Sequence, residues 1–317
     1  MIFENASTIA QQVMILFLLI ASGFLIRKIR MIDDSSLRQI NNILLIIINP
    51  CVIVVSFQST FDQTLLLGMV VAAVSAIATH LIGALIARLV FRRTAPAQGK
   101  VLQFAVVFSN CSFMCIPLLY AILGTDGVVF GSIYIAIFNM IMWTYGVVLM
   151  TGQKSDINLR KALINPGTVS MMISLPLFLL QIRLPELVLT AVQHLANLNT
   201  PVAMMIIGAQ MAAISLFSVF RKKSVYLASV LRLIVVPLIM LGILSLFNLD
   251  RVLLLACLIP AMAPAAAATA LFATRYDQDN LLATKIITLS TLFSIITMPL
   301  MILLSDVIRM AFVFDFH

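Results

Sequence analysis

The chain has 317 residues, of which 62% are apolar and 10% are charged, and its formal net charge is +8. A soluble domain has about a quarter of its residues charged, so this composition excludes a water-soluble globule and predicts a surface that faces lipid. The basic residues lie in short loops between apolar runs, where membrane topology places them, so the charge does not favour a nucleic-acid partner.

Ten apolar segments are each long enough to cross a hydrocarbon core of about 30 Å. In chain order they cover residues 8–28, 37–58, 64–90, 101–122, 128–151, 161–182, 188–216, 224–247, 251–273 and 281–309. Most Lys and Arg residues follow odd-numbered segments, whereas the other loops and the C-terminal end have Arg183, Arg251 and Arg309. The positive-inside rule therefore predicts a multi-pass protein of the cell (plasma) membrane with an uncleaved first helix and both termini extracytoplasmic.

Prolines at matching positions indicate an internal repeat. Pro50 in segment two corresponds to Pro201 in segment seven, and Pro117 in segment four corresponds to Pro264 in segment nine. Because each copy has an odd number of segments, the two copies insert with opposite orientations. The predicted fold is an all-α integral membrane protein with ten transmembrane helices in two inverted five-helix repeats, residues 1–155 and 156–317.

Segments four and nine are predicted to be broken near the bilayer midplane. Segment four has Asn110, Cys111 and Ser112 before its proline, and segment nine has Pro260 and Pro264. Proline disrupts helix hydrogen bonding, and free backbone groups survive in a membrane only inside protein or beside a wet cavity. The second half of each segment then begins near the midplane. Two positive helix N-termini facing each other predict a site for an anion.

The acidic residues lie in loops or near segment ends, so no carboxylate is placed within the membrane. This argues against a cation pump and against an intramembrane aspartyl protease, and no constellation of nucleophile and base indicates another enzyme. The four cysteines fall within segments and have no His or acid beside them, so the sequence predicts neither a metal nor a cofactor. Backbone carbonyls can bind sodium without a sequence mark, so H+ and Na+ both stay open as coupling ions.

Five pieces of the chain carry a resemblance to a known family: Ile48-Asn49-Pro50, Phe108 to Leu118, Leu198 to Gln210, the Pro260/Pro264 pair, and Ala273-Thr274-Arg275-Tyr276. In these the chain resembles the auxin efflux carrier family, whose bacterial members include permeases assigned to malate and malonate. The resemblance implies a dimerising scaffold of helices 1, 2, 6 and 7 and a transport domain of helices 3–5 and 8–10. It also implies that helices 4 and 9 cross and that transport is of the elevator type.

Asn110 is the first candidate for substrate binding, because an amide at a broken helix can donate to a carboxylate. Satisfying freed backbone groups is its alternative role. The other candidates for substrate contact are Cys111, Ser112, Asn49, Gln210, Asn139, Ala261 and Ala265. Pro117, Pro260 and Pro264, together with Pro50 and Pro201, are assigned structural roles. For Asn49 and Gln210, hydrogen bonding between helices is the competing interpretation.

Two ionisable residues within the segments have two interpretations each. His80 is a candidate for proton coupling, since histidine titrates near neutral pH, or it hydrogen-bonds a neighbour. Arg232 either attracts anions or extends to the cytoplasmic interface, the interpretation that we favour from sequence. The leading functional prediction is a carrier of small organic anions such as dicarboxylates. A passive anion channel and a non-transporting binding or sensor protein are the alternatives.

Overall fold

The computed structural model describes residues 2–58, 63–153, 164, 166–212, 219 and 222–314, and it describes side chains for these except residues 2–13, 63, 112, 113 and 310–314. The described part is helical, and its β-structure consists of one isolated antiparallel backbone bridge between Ser109 and Ala265. The stretches 34–56, 64–91, 116–151, 223–245 and 280–309 are long and apolar enough to cross a membrane. The all-α membrane class is therefore confirmed, while the ten-span inverted repeat stays a prediction.

The α-helices of the described residues are α1 (Ile2–Lys28), α2 (Asp34–Ile43), α3 (Asn49–Ser56), α4 (Gln63–Phe91), α5 (Pro96–Val107), α6 (Ile116–Ile141), α7 (Val147–Thr151), α8 (Pro166–Leu179), α9 (Glu186–Asn197), α10 (Asn199–Ala212), α11 (Lys223–Val230), α12 (Val236–Ser245), α13 (Arg251–Met262), α14 (Ala268–Arg275) and α15 (Asn280–Phe314). Among the described residues, π-helical turns join several of these helices, at Leu44–Ile48, Cys111–Cys115, Met142–Gly146 and Leu231–Val235.

Three of these π-helical turns end two residues before a proline: Pro50, Pro117 or Pro237. Proline lacks an N–H and its ring clashes with the carbonyl four residues earlier, whereas a π turn is wider than an α turn. The wide turn accommodates the ring, and the chain continues as helix. The helical run therefore continues through Pro50, and Pro201 lies in the first turn of α10.

Glycines allow α1 and α10 to pack with their backbones in contact. A Cβ atom built on Gly23 would lie 2.0 Å from the carbonyl oxygen of Met205, and one on Gly208 would lie 1.8 Å from that of Ile20. No larger residue fits either position without separating the helices. Small residues at such crossings are the usual means of close packing between membrane helices.

The polypeptide leaves helical geometry once within α6. Gly124 has φ 68° and ψ −152°, a region that only glycine adopts without strain, and it divides α6 into two helical parts. This glycine falls between predicted segments four and five, so the turn between them is only a few residues long.

The core surrounds α5 and α13. Every residue of α13 from Leu253 to Met262 is buried, and this helix packs against α4, α6, α12 and α15. Helix α5 packs against α4, α11 and α15. Both central helices end inside the bundle, which creates the site described next.

Candidate functional site at the crossing of two broken helices

Two extended strands of chain meet where α5 and α13 end. Beyond Val107 the backbone is extended at Phe108 (φ −100°, ψ 117°), and beyond Met262 it is extended at Ala263 (φ −64°, ψ 150°). The Asn110 N–H donates to the carbonyl oxygen of Pro264 at 2.7 Å, and the Ala266 N–H donates to that of Phe108 at 2.9 Å. Because the two strands pair with each other, the break satisfies part of its own backbone within the bundle.

The prolines assigned to this crossing have different positions. Pro264 lies in the break itself, whereas Pro260 lies inside α13 and Pro117 in the first turn of α6. Arg232 donates hydrogen bonds to the carbonyl oxygens of Pro260 and Ala261, which lie at the C-terminal end of α13. The break in α5 involves no proline and begins at Phe108, next to the polar pair Ser109 and Asn110.

A cavity of about 510 Å³ lies beside the crossing. Four amide side chains that the sequence predicted as substrate contacts line it together: Asn49, Asn110, Asn139 and Gln210. They come from α3, the break, α6 and α10, which are far apart in sequence. Among the described residues that line the cavity, Arg38 is the charged one and none is acidic. The arrangement therefore suits an anionic or strongly polar ligand.

Three other predicted contacts lie behind the wall of the cavity. Cys111, Ala261 and Ala265 are fully buried and do not line it, so substrate contact at these positions stays a prediction. The Ala261 carbonyl accepts a hydrogen bond from Arg232, and Ala265 pairs with Ser109 in the bridge. The side chain of Ser112 lies outside the described part of the chain.

Helix α2 contributes a polar face that the sequence analysis missed. Arg38, Asn41 and Asn42 line the cavity, with Asn49 further along the same helical run. Asn41 and Asn42 follow Arg38 by three and four residues, and Asn49 follows Asn42 by seven. This spacing places the four side chains near one side of a helix, and it was the pattern in the sequence that could have predicted them. At 1.5 Å per residue, Arg38 lies about 16 Å from Asn49 along the axis, so it marks the mouth of the cavity.

The N-cap of α2 fixes the start of this polar face. The Asp33 carboxylate accepts a hydrogen bond from the Ser36 N–H at 2.7 Å, and this bond lowers the pKa of Asp33 below its ordinary value. The cap satisfies one of the free N–H groups of the first turn and so holds the helix end that carries Arg38.

The second broken helix resumes at the cavity wall. Ala266, Ala267 and Ala268 all line the cavity, and Ala268 begins α14. The N-terminus of a helix carries a partial positive charge, and here the Thr269 and Ala270 N–H groups donate to the carbonyl oxygens of Ala266 and Ala267. Ser109 lines the same wall, and its buried hydroxyl has no hydrogen-bond partner among the described residues. The Ser109 hydroxyl and the Asn110 amide offer donors in a small space.

Asn49 also joins the two helices that carry prolines Pro50 and Pro201. The side-chain Nδ2 group of Asn199 donates a hydrogen bond to the side-chain Oδ1 atom of Asn49, and both residues are buried. The interhelical role that the sequence left open for Asn49 is therefore present together with its place in the cavity wall.

His80 packs in an aromatic cluster instead of lining the cavity. Its Nδ1–H donates to the Ala76 carbonyl oxygen at 2.6 Å, and its ring contacts Phe108, Tyr134 and Phe138. The predicted bond to a neighbour is present, whereas the coupling role stays a prediction. Phe108 and Phe138 nevertheless connect this cluster to the break and to the cavity wall.

Arg232 does not extend to the cytoplasmic interface. Its exposure is 0%, and its guanidinium donates to backbone carbonyl oxygens in the centre of the bundle. The interpretation that we favoured from sequence is therefore wrong. The free carbonyls at the ends of α5 and α13 compete successfully with water for this side chain.

Comparison with known proteins agrees with this site in a membrane bundle. A family model described as "Membrane transport protein" matches residues 8–302 of the chain. The matched region begins within α1, ends within α15 and includes both breaks. A search of curated proteins finds no match.

Proposed function

We propose that this chain, which belongs to the auxin efflux carrier family of membrane transport proteins, is a secondary transporter for small organic anions, with a dicarboxylate such as malate or malonate as its substrate. The observation that carries the proposal is the cavity at the crossing. It combines six amides, one arginine and the start of α14, and no acid lines it among the described residues.

The proposed binding mode places one carboxylate of the substrate at the crossing. The Ser109 hydroxyl and the Asn110 amide donate hydrogen bonds to it, and the positive end of α14 attracts it. The amides of Asn139 and Gln210 line the same cavity, and we place the rest of the substrate beside them. A volume of about 510 Å³ is within the range of small-ligand sites and leaves room for water around a short dicarboxylate.

The proposed transport step is an elevator movement of the crossing relative to a scaffold. Helices α1, α3, α8, α9 and α10 pack on one another, and α5 and α13 pack among α4, α6, α11, α12 and α15. The cavity is lined from both groups, which supports a substrate site at their boundary. By the positive-inside rule the Arg38 end of α2 is cytoplasmic, so we assign the cavity to an inward-open state. A homodimer formed through the scaffold and coupling to H+ or Na+ belong to the same proposal.

Uptake into proteoliposomes tests the function directly. We expect saturable uptake of labelled dicarboxylates, in competition with unlabelled substrate. Replacing Asn110 with alanine removes a donor to a charged group, which is worth about 1.5–3 kcal/mol and lowers affinity roughly 10- to 150-fold. The matched control is Asn280→Ala, since Asn280 is exposed at the start of α15.

The alternatives give different results in the same assay. Unsaturable flux far above carrier turnover identifies a passive channel, and substrate binding without flux identifies a binding or sensor protein. Equal uptake by wild type and Asn110→Ala, with the control also unchanged, removes Asn110 from the site.

A further inference from the structure

Arg232 is a fully buried cation whose partners are all backbone carbonyls. It lies in the π-helical turn Leu231–Val235 between α11 and α12. No ion pair to it occurs among the described residues, where the ion pairs join Arg27 to Asp34 and Arg251 to Asp306. An arginine in a membrane protein stays protonated, so its charge must be compensated by some other group.

The guanidinium connects the ends of both broken helices. Its Nε–H donates to the Ala263 carbonyl at 2.9 Å, and one terminal nitrogen donates to Val106 at 3.0 Å and to Val107 at 3.4 Å. The other terminal nitrogen donates to Pro260 at 3.3 Å and to Ala261. All five N–H groups of the side chain are used, and they satisfy carbonyls that the ends of α5 and α13 leave without helical partners.

The same contacts balance the charge. A helix C-terminus carries about half a negative charge, so two C-termini together offset one arginine. Helices α5 and α13 end at the guanidinium, while the segments that follow them begin at the cavity. The negative ends of the broken helices are thus neutralised on one side of the crossing, and the positive ends on the other side are left for a ligand.

We propose that Arg232 is a positioning residue for anion binding: it holds the two broken helices together and cancels their negative ends, so that the cavity keeps a positive potential. The inference rests on the proposed function and extends it, because it assigns an electrostatic role to a residue that does not line the cavity. For the same reason we expect a lysine to be a poor substitute. An ammonium has three donors at one point, whereas the contacts of Arg232 diverge toward two helices.

Two variants separate the charge of Arg232 from its geometry. Arg232→Gln removes the charge, and Arg232→Lys keeps the charge but loses the forked contacts. The control is Arg309→Gln, which removes an exposed cation near the end of α15. For each purified protein, calorimetric titration measures the affinity for malonate, a dianion, and for its monoamide, a monoanion of similar size. Thermal unfolding is measured in parallel.

If the role of Arg232 is electrostatic, the loss of binding affinity on its replacement depends on the charge of the ligand. We expect Arg232→Gln to weaken binding by about tenfold per ligand charge, so that the ratio of dianion to monoanion affinity falls by about tenfold. Arg232→Lys is expected to unfold at a lower temperature than wild type while keeping this ratio within about twofold. Arg309→Gln is expected to match wild type in both measurements, because exposed charges are screened.

Results other than these contradict either the role of Arg232 alone or the proposed function as well. An unchanged ratio in a folded Arg232→Gln protein overturns this inference alone. If Arg232→Gln does not fold, the Arg232→Lys protein decides. A fall of about tenfold in its ratio of dianion to monoanion affinity overturns the inference, because the positive charge is then retained without effect. Absence of anion binding by the wild-type protein overturns the proposed function, and this inference with it.

Discussion

The packing of α1 on α10 gives a stability prediction that depends on backbone contact alone. In the Gly208→Ala variant the added methyl carbon would lie 1.8 Å from the Ile20 carbonyl oxygen. An ordinary carbon–oxygen contact is about 3.4 Å, so the helices must separate by about 1.5 Å or bend locally. The contacted atom is backbone, so no side chain can rotate away to make room.

The magnitude follows from known overpacking costs. Extra methyl groups in a tightly packed interface destabilise by about 1–3 kcal/mol, and the helices also lose dispersion contacts along their length. Gly23 contacts the same partner helix in the reciprocal manner, 2.0 Å from the Met205 carbonyl oxygen. Once one substitution has separated the helices, the second costs less. The double variant is therefore expected to be less destabilised than the sum of the single variants.

Thermal unfolding in detergent, followed by size-exclusion chromatography, measures the effect. The matched control is Gly242→Ala in α12, where an added Cβ meets nothing within 4 Å. Alanine is favoured over glycine in a helix by up to about 1 kcal/mol, so the control should unfold at the same or a higher temperature. Equal stability of Gly208→Ala and Gly242→Ala, or strict additivity of the two interface substitutions, would refute the proposed close contact.

Three further predictions concern the turn, an ion pair and the orientation. Gly124→Ala is expected to destabilise by roughly 1–3 kcal/mol in thermal unfolding, through backbone strain alone, since its Cβ would meet nothing within 4 Å. Asp306→Asn should lower stability by about 1 kcal/mol, less at high salt, because Arg251 donates to both carboxylate oxygens at 2.8 and 3.0 Å. Asn42→Cys, with Cys51 replaced by serine, should react with a membrane-impermeant thiol reagent from the cytoplasmic side; labelling from the other side alone contradicts the predicted orientation.

The sequence predicted which segments are broken, but not which residues form the breaks. Matched prolines pointed to segments four and nine, yet Pro264 is the one of them that lies in a break. Pro50, Pro117 and Pro237 are accommodated by π-helical turns, and such turns leave no clear mark in a pattern of apolar residues. A proline indicates a weakened helix. Whether the chain bends or stops there depends on the partners available to its free carbonyls, which are distant in sequence.

The site shows the same limit of local information. Amides were good predictors, because a buried amide in a membrane helix needs partners or a wet cavity, and Asn49, Asn110, Asn139 and Gln210 all reach one. Alanines carry no such information. Ala261 and Ala265 are fully buried, and Ala265 pairs with Ser109.

The role of a charged residue within a membrane segment can be interpreted only when its hydrogen-bond partners are known, and Arg232 is an example. On sequence alone a cation a turn or two from a helix end is best explained by the interface, since the interface provides water. Two helices that end inside the bundle provide the same solvation from carbonyl oxygens, and they do so at the point where the chain must also be kept together. The broken helices therefore require this arginine, just as the proposed binding site requires the breaks. A continuous helix through either break would bond those carbonyls internally and leave the guanidinium without solvation.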